Sequence, residues 1–345
     1  MIDVFPLSFI FALGLIYLDK IFSKLGFINL RPSPQTLHTK SVSRLGGLAI
    51  FMCLFFISSL SSDSSYSFLS LFLFTSAPIF LVGLIDDFNI IVKPIYRLAV
   101  LIPNAALCYF FLGTQAYSVE IALIDFFFQF KPFSLLFICI AMAGSVSACN
   151  AIDGINGLLK TWFLSSIFTL LFFSEIKLSS ELYLFFTALF FAVLPVYFLN
   201  FPFGRIFLGD AGAYLLGLAI TVGLIKTYQI NELSPWFVLL MLSYPVIDLL
   251  VSIVRRLLNR YSALSMDGQH LHHLILRKVQ KLELKSEKRN HVLTSMLIFF
   301  LYIPFMLVAT NFANDTSVLQ LAFFFSFALY LLVYFLLYPK KFIGR

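Results

Sequence analysis

Long apolar segments recur along the whole chain, and they limit what it can fold into. A helix needs about 20 mainly apolar residues to cross the hydrocarbon core of a bilayer. Eleven segments approach that length, at residues 4–22, 46–61, 68–85, 97–114, 132–149, 158–174, 182–199, 211–228, 235–254, 291–310 and 318–338. The second and sixth are short, so ten spans are the alternative. The chain is therefore predicted to be an all-α, polytopic membrane helical bundle.

Composition leads to the same class of protein. Of the 345 residues, 60% are apolar and only 12% are charged. A soluble domain of this length would need far more polar surface. Residues 1–345 are therefore interpreted as a single integral-membrane domain.

Basic residues predict how this bundle is oriented. Every Lys and Arg lies in residues 19–45, 86–97, 150–160, 200–210, 255–290 or 339–345, except Lys131, Lys177 and Lys226. Lys and Arg accumulate in the cytoplasmic linkers of membrane proteins. The prediction places these segments in the cytoplasm, with the N-terminus outside and the C-terminus inside. The clustered polar residues fall in the same segments, so chemistry is expected at the cytoplasmic face.

Two adjacent carboxylates, Asp86 and Asp87, end the apolar run that begins near Phe68. Such a pair is costly beside a membrane span, because each carboxylate resists desolvation and repels the other. One interpretation is a solvated loop with Lys93 and Arg97 as counter-ions. The other is a Mg²⁺ site shared with a phosphate group, in which one carboxylate could also act as a general base.

Two further polar segments carry candidate residues. Asn150, Asp153 and Asn156 lie in a glycine-containing segment that favours a polar binding loop, with a helix cap and turn as the alternative. Asp210 lies where a predicted span begins, so it either caps that helix or adds a second carboxylate to the metal site. Phe207 is a candidate stacking surface for a base, although phenylalanine is common throughout this chain.

Three histidines, His270, His272 and His273, lie within four residues of the basic segment 255–290. A zinc site is not favoured, because no cysteine is nearby and the spacing matches no common zinc pattern. Recognition of phosphate by imidazole N–H and guanidinium groups suits a basic segment better.

Two charged residues have open interpretations. Asp248 lies inside a predicted span, where carboxylates are functional candidates by default, but Arg255 or Arg256 could pair with it in a structural role. Arg44 precedes two glycines that would allow close approach of another backbone or a ligand. Ordinary anchoring by a cytoplasmic cation is the simpler interpretation of Arg44 taken alone.

Taken together, these segments resemble the polyprenyl-phosphate N-acetylhexosamine-1-phosphate transferase family (glycosyltransferase family 4). Five motifs occur in the family's order: Ser43 to Gly47, Gly83 to Asp87, Asn150 to Leu158, Phe207 to Gly212, and Asp267 to His273. Each motif alone is weakly or moderately specific, whereas five in order on one predicted face are much more specific. The likeness covers nearly the whole chain.

The resemblance implies a reaction and its partners. A UDP-N-acetylhexosamine would give its sugar-1-phosphate to undecaprenyl phosphate and release UMP, with Mg²⁺ as cofactor and Mn²⁺ as a substitute. The partners would be these substrates and the lipid bilayer, with a homodimer left open and no nucleic acid expected. The location implied is the bacterial inner membrane, with an active site formed by cytoplasmic loops 23–45, 86–97, 150–158, 200–210 and 255–290.

The resemblance also implies roles for individual residues. Asp86 would act on the lipid phosphate as a base or position it, and Asp87 and Asp210 would hold or orient Mg²⁺. The residues implied in substrate binding are Arg44, Asn150, Asp153, Asn156, Phe207, His270, His272 and His273. Within this set, the amides and Asp153 would face the nucleotide, and the histidines would face the diphosphate or the sugar.

The chain departs from the family pattern in ways that bear on its substrate. Asn156 stands where the family usually has an acid, which could weaken a cation contact or change the choice of sugar. The histidine motif reads H-L-H-H, closer to the GlcNAc-type, O-antigen-initiating branch than to the peptidoglycan translocase. Initiation of surface-polysaccharide synthesis is therefore favoured, with phospho-MurNAc-pentapeptide translocase as the alternative. A secondary transporter would need an internal repeat and further mid-span ionisable residues, which the sequence lacks.

Overall fold

The computed structural model describes residues 4–24, 42–61, 64–88, 90, 92–263, 268–282 and 287–338. Helices account for most of these residues, and the β-type pairing among them is one isolated parallel bridge between Ser43 and Ile206. The predicted all-α class is therefore confirmed. Most of the predicted cytoplasmic segment 23–45, and Asp267 of the histidine motif, lie outside the described residues.

Fourteen α-helices follow one another in the described part of the chain. They are α1 (Val4–Lys24), α2 (Gly46–Leu60), α3 (Ser67–Asp87), α4 (Pro94–Phe111), α5 (Ala122–Phe128), α6 (Lys131–Ile152), α7 (Leu158–Phe172), α8 (Ser180–Asn200), α9 (Gly209–Ile230), α10 (Pro235–Met241), α11 (Ser243–Leu258), α12 (Leu271–Gln280), α13 (Glu287–Asn311) and α14 (Thr316–Leu337).

Each of the eleven predicted spans coincides with one helix or, at residues 235–254, with the pair α10 and α11. Eight helices of the described chain are long and apolar enough to cross a membrane, and the bent pair makes a ninth. The two shortest predicted spans correspond to α2 and α7, which have 15 residues each. The chain is thus a multi-pass membrane protein.

The segment 235–254 is broken, whereas the sequence predicts one continuous span there. Helices α10 and α11 meet at Leu242 with a bend of 76°. Pro245 lies in the first turn of α11, where its missing N–H is tolerated, and it could not bond to the Met241 carbonyl of a continuous helix. Pro78 and Pro195 nevertheless lie inside unbroken helices, so a proline alone does not predict the break.

Helix α9 lies at the centre of the bundle, where nearly all of its residues are buried. Glycines let its neighbours come close. A Cβ on Gly83 of α3 would lie 2.5 Å from the backbone of Ala211, and a Cβ on Gly47 of α2 would lie 2.3 Å from the Gly212 Cα atom. Backbone contact at these distances leaves no room for any larger residue.

Hydrogen bonds join the segment before α9 to the start of α2. The Phe207 N–H donates to the Ser43 carbonyl at 2.7 Å, while the Phe207 and Leu208 carbonyls accept the Gly46 and Gly47 N–H groups at 2.9 and 2.7 Å. The first and fourth sequence motifs are therefore held side by side. This junction fixes where α9 begins.

We predict that Gly83→Ala destabilises the protein by about 1–3 kcal/mol, because the added Cβ collides with backbone that cannot rotate away. The matched control is Gly144→Ala in α6, since a Cβ there meets nothing within 4 Å. Unfolding in mixed detergent–SDS micelles measures both variants. Equal stability of the two variants would contradict the close packing of α3 on α9.

Candidate active site

The carboxylate of Asp87, the last residue of α3, holds the first turn of α9. Its Oδ1 atom accepts the backbone N–H of Asp210 at 2.8 Å, and Oδ2 accepts that of Ala211 at 3.0 Å. The first N–H groups of a helix have no partner within the helix, so a buried helix start needs such an acceptor. Asp87 is only 3% exposed. Gly209, which precedes Asp210, has φ at +77°, and a Cβ on it would collide with the Asp87 carboxylate.

Two arginines hold the remaining carboxylates of this region. Arg97 of α4 donates from Nη2 to Asp86 Oδ1 at 2.9 Å and from Nη1 to Asp210 Oδ2 at 3.1 Å. Arg44 lies 3.4 Å from Asp210 and 3.5 Å from Asp87. Asp86 also accepts the Val92 N–H at 3.0 Å. Acids from α3 and α9 are thus compensated by cations from two other segments. We call these five residues the acid–arginine cluster: Arg44, Asp86, Asp87, Arg97 and Asp210.

Asn150 reaches this cluster through a residue that sequence reasoning missed. The Asn150 amide, at the end of α6, donates to the Tyr214 hydroxyl at 3.4 Å, and Arg97 donates to the same hydroxyl at 3.3 Å. Tyr214 follows Asp210 by four residues on α9. The i, i+4 spacing on one helix face is the signal that could have identified it.

Asp153 pairs with a second missed residue, Lys160, at the start of α7. The Lys160 ammonium lies 3.7 Å from the Asp153 carboxylate and is 2% exposed. Burial raises the pKa of Asp153, and the positive charges of Lys160 and Arg44 oppose that rise. A lysine buried this deeply needs a paired carboxylate.

Asn156 docks the same loop onto α13. Its backbone N–H faces His291 Nδ1 at 3.5 Å, and its carbonyl accepts the Ser295 hydroxyl at 3.0 Å. Its side-chain amide lies 3.6 Å from the position of a Cβ on Gly204, in the segment before α9. Phe207, in that segment, is half-buried and is placed by its backbone bonds to α2.

The three histidines approach the loop that contains Asp153. Ring nitrogens of His273 and His272 lie 3.3 and 3.5 Å from the position of a Cβ on Gly154. The rings of His272 and His273 are 4.3 Å apart, and those of His270 and His272 are 5.4 Å apart. Burial, and next the neighbouring His273, hold the pKa of His272 well below its ordinary value, while Asp248 opposes them. His272 is therefore a neutral imidazole.

Asp248 pairs with a histidine, whereas the sequence suggested an arginine. Its Oδ2 atom lies 2.7 Å from His270 Nδ1, and its Oδ1 atom accepts the Leu271 N–H at 2.9 Å and the Tyr330 hydroxyl at 2.7 Å. Arg255 instead donates to the Gln269 carbonyl and to the Tyr334 hydroxyl. Arg256 donates from Nε to the Ser252 carbonyl at 3.0 Å, so both arginines, about two turns along α11, serve other partners.

The predicted site residues therefore meet at one end of the bundle. The acid–arginine cluster contacts Asn150 through Tyr214, and the charge of Arg44 acts on Asp153. The rings of His272 and His273 approach Gly154, in the loop of Asp153. Five segments that are distant in sequence thus line a single region.

This region has a partial donor set for a divalent cation. In the described part of the chain, no three His, Cys, Asp or Glu side chains are grouped to hold a metal. Asp86 and Asp210, however, share the Arg97 guanidinium and are partly exposed. Mg²⁺ commonly takes one or two protein carboxylates and completes its shell with water and phosphate, so this pair fits it.

Comparisons with known proteins give a consistent result. The model of the family described as glycosyl transferase family 4 matches residues 68–228. The undecaprenyl-phosphate alpha-N-acetylglucosaminyl 1-phosphate transferase of Salmonella typhi is 30% identical over 286 residues, which cover 78% of this chain and 74% of that protein. The protein of the same name from Thermotoga maritima is 29% identical over 251 residues, covering 73% and 74%. That of Escherichia coli K12 is 28% identical over 290 residues, covering 80% and 76%.

We predict that Arg97→Lys destabilises the protein by about 1–3 kcal/mol, because an ammonium cannot replace donors that serve two carboxylates and a tyrosine at once. Lys93→Met is the matched control, since it removes an exposed cation from the same segment. Unfolding in mixed micelles measures the difference. If the two variants unfold alike, the arginine bridge has no structural importance.

A second prediction concerns the buried pair of Asp153 and Lys160. Lys160→Met should raise the pKa of Asp153 further, because the opposing cation is lost. A carboxyl with a raised pKa in the folded state stabilises folding most at low pH and loses that contribution as the pH rises through the folded pKa. The stability deficit of Lys160→Met should therefore grow as the pH rises above the ordinary pKa of an aspartate.

The control for this experiment is Lys177→Met, which removes an exposed lysine. Its difference from the wild type should be small and constant over the same pH range, because surface charges contribute little to stability. A deficit of Lys160→Met that does not change with pH would show that Lys160 does not compensate Asp153.

Proposed function

This chain belongs to glycosyl transferase family 4, and we propose that it transfers GlcNAc-1-phosphate from UDP-GlcNAc to undecaprenyl phosphate with release of UMP. The observation that carries the proposal is the acid–arginine cluster, in which carboxylates from α3 and α9 are bridged by Arg97 and Arg44. Phosphoryl transfer depends on charge neutralisation and alignment more than on covalent machinery, and this cluster offers both. The names of the relatives favour the GlcNAc donor over a phospho-MurNAc-pentapeptide donor.

We further propose that this site faces the cytoplasm at a bacterial inner membrane. Eleven spans, with the N-terminus outside and the C-terminus inside, would put the basic segments and the cluster on that face. A long-chain lipid phosphate could then lie among the helices while the nucleotide sugar arrives from water. The product would be the first lipid-linked intermediate of a surface polysaccharide.

In the proposed reaction, an oxygen of the lipid phosphate attacks the phosphorus that carries the sugar. The bond between that phosphorus and the oxygen of UMP breaks, so a diphosphate linkage to the lipid forms as UMP leaves. Asp86 would orient the lipid phosphate or accept its proton. Arg44 and Arg97 already lie among the carboxylates and would donate N–H groups to the phosphate oxygens as negative charge develops.

A bound Mg²⁺, or Mn²⁺ in its place, would supply further positive charge to the diphosphate. Asp210 is the ligand that we propose for it, with Asp86 adjacent. Asp87 was also predicted as a ligand. Each of its oxygens already accepts a backbone N–H but retains a second lone pair, so its main effect would be to orient Asp210.

The donor would lie between the cluster and the histidines. Asn150, Asp153 and Asn156 line the intervening loop and would face the nucleotide, with Phe207 as a stacking surface for the base. His272 is a neutral imidazole and would contribute hydrogen bonds to the diphosphate or sugar, not charge.

Purified protein in nanodiscs should release UMP from UDP-GlcNAc only when undecaprenyl phosphate is present. Asp86→Asn and Asp210→Asn should each lower turnover on the order of 100-fold or more, because each removes a charge at the reacting phosphates. The same assay, run with other UDP-N-acetylhexosamines, determines the donor.

Glu175→Gln is the matched control, since Glu175 is exposed in the linker between α7 and α8, away from the cluster. It should keep the wild-type turnover. Absence of UMP release with every UDP-N-acetylhexosamine would refute the transferase, and full activity of the two Asn variants would refute the site.

A further inference from the structure

We propose that Asp248 is a positioning residue that acts through His270, fixing which nitrogen of that imidazole faces the substrate. The inference rests on the proposed transferase function for its kinetic consequence, and on the structure for its geometry. Asp248 lies on α11, and His270, 22 residues further along the chain, immediately precedes α12.

The first step is the burial of Asp248. Its side chain is completely buried, in the second helix of the bent pair α10–α11. A carboxylate in such a position persists only when several donors satisfy it. Three do so here: the His270 ring, the Leu271 N–H and the Tyr330 hydroxyl, at 2.7, 2.9 and 2.7 Å.

The second step is the helix start that these bonds create. Leu271 is the first residue of α12, so the Asp248 carboxylate satisfies one of the N–H groups that a helix leaves unpaired. It therefore fixes both the backbone that follows His270 and the ring of His270 itself. It thereby fixes the start of α12, the helix that carries His272 and His273.

The third step concerns the ring nitrogens. An ionised carboxylate can only accept hydrogen bonds, so Nδ1 of His270 carries the proton in the pair. Nε2 is then the nitrogen left for a ligand, on a side chain that is 9% exposed. An aspartate that fixes an imidazole in this way determines its tautomer and orientation.

The surroundings of His272 also indicate that the substrate lies next to the Nε2 atoms of the histidines. Its Nδ1 atom lies 3.4 Å from the Tyr244 hydroxyl and 3.9 Å from Asp248. Among the described residues, none hydrogen-bonds to its Nε2 atom, although the side chain is fully buried and its ring approaches Gly154. This buried nitrogen has no partner within the described ranges and lies beside the loop of Asp153, which we propose to face the nucleotide. Its position is explained if a substrate oxygen bonds to it.

The test is Asp248→Asn, which keeps the size of the side chain. Its amide oxygen should stay with Leu271 and Tyr330, where two donors point, so its NH₂ group would face His270 Nδ1. The proton of His270 would then move to Nε2. We expect kcat to fall about 10- to 100-fold with little change in the KM for undecaprenyl phosphate.

A double-mutant cycle separates positioning from a merely structural role. If Asp248 acts through His270, then Asp248→Asn should lower kcat no further in a His270→Ala background. Tyr330→Phe is the matched control, because it removes a donor to Asp248 without touching His270, and it should keep kcat near that of the wild type. Additive losses in the double variant would overturn the proposal.

A second readout does not depend on turnover. With ¹⁵N-labelled histidine, the His270 signal, assigned from its absence in His270→Ala, should report protonated Nδ1 in the wild type and protonated Nε2 in Asp248→Asn. An unchanged tautomer overturns the positioning role even if the enzyme is active. An inactive wild type with the expected switch would refute the transferase and leave the positioning role supported.

Discussion

The interaction on which the site depends is the acceptance of helix N–H groups by buried carboxylates. Asp87 satisfies the first turn of α9, and Asp248 satisfies the first turn of α12. Neither helix could begin inside the bundle without such an acceptor, because an unpaired buried N–H is costly. One helix start carries Asp210 and the other carries the histidines, so the same physical requirement positions both sets of functional groups.

Charge balance is the second constraint. Asp86, Asp87 and Asp210 lie close together, and their mutual repulsion would oppose folding without nearby cations. Arg97 and Arg44 supply these from segments outside α3 and α9. An arrangement in which guanidinium groups already lie among carboxylates suits a substrate that brings its own negative charge, since its phosphates can share the same donors.

Sequence patterns predicted the helices and the polar segments well, because both depend on local composition. They predicted the family, which the comparisons confirm. Among the side-chain pairs, they predicted Arg97 as a counter-ion of Asp86 but did not predict the partners of Asn150, Asp153 and Asp248. Tyr214 was missed because its spacing from Asp210 shows a shared helix face but not the contacts with Asn150 and Arg97, which come from other helices. Lys160 was missed because its partner lies in the preceding loop, and Asp248 was assigned arginine partners because sequence spacing shows only neighbours along one helix. The 76° bend at Leu242 likewise depends on tertiary packing.

A cryo-electron microscopy structure in nanodiscs with UDP-GlcNAc and Mg²⁺ tests the central claim most directly. The account predicts that the diphosphate lies between Arg44, Arg97 and Asp210, with the Asp87 carboxylate still accepting the N–H groups of Asp210 and Ala211. A diphosphate bound elsewhere on the bundle, or an Asp87 side chain turned away from α9, would contradict it.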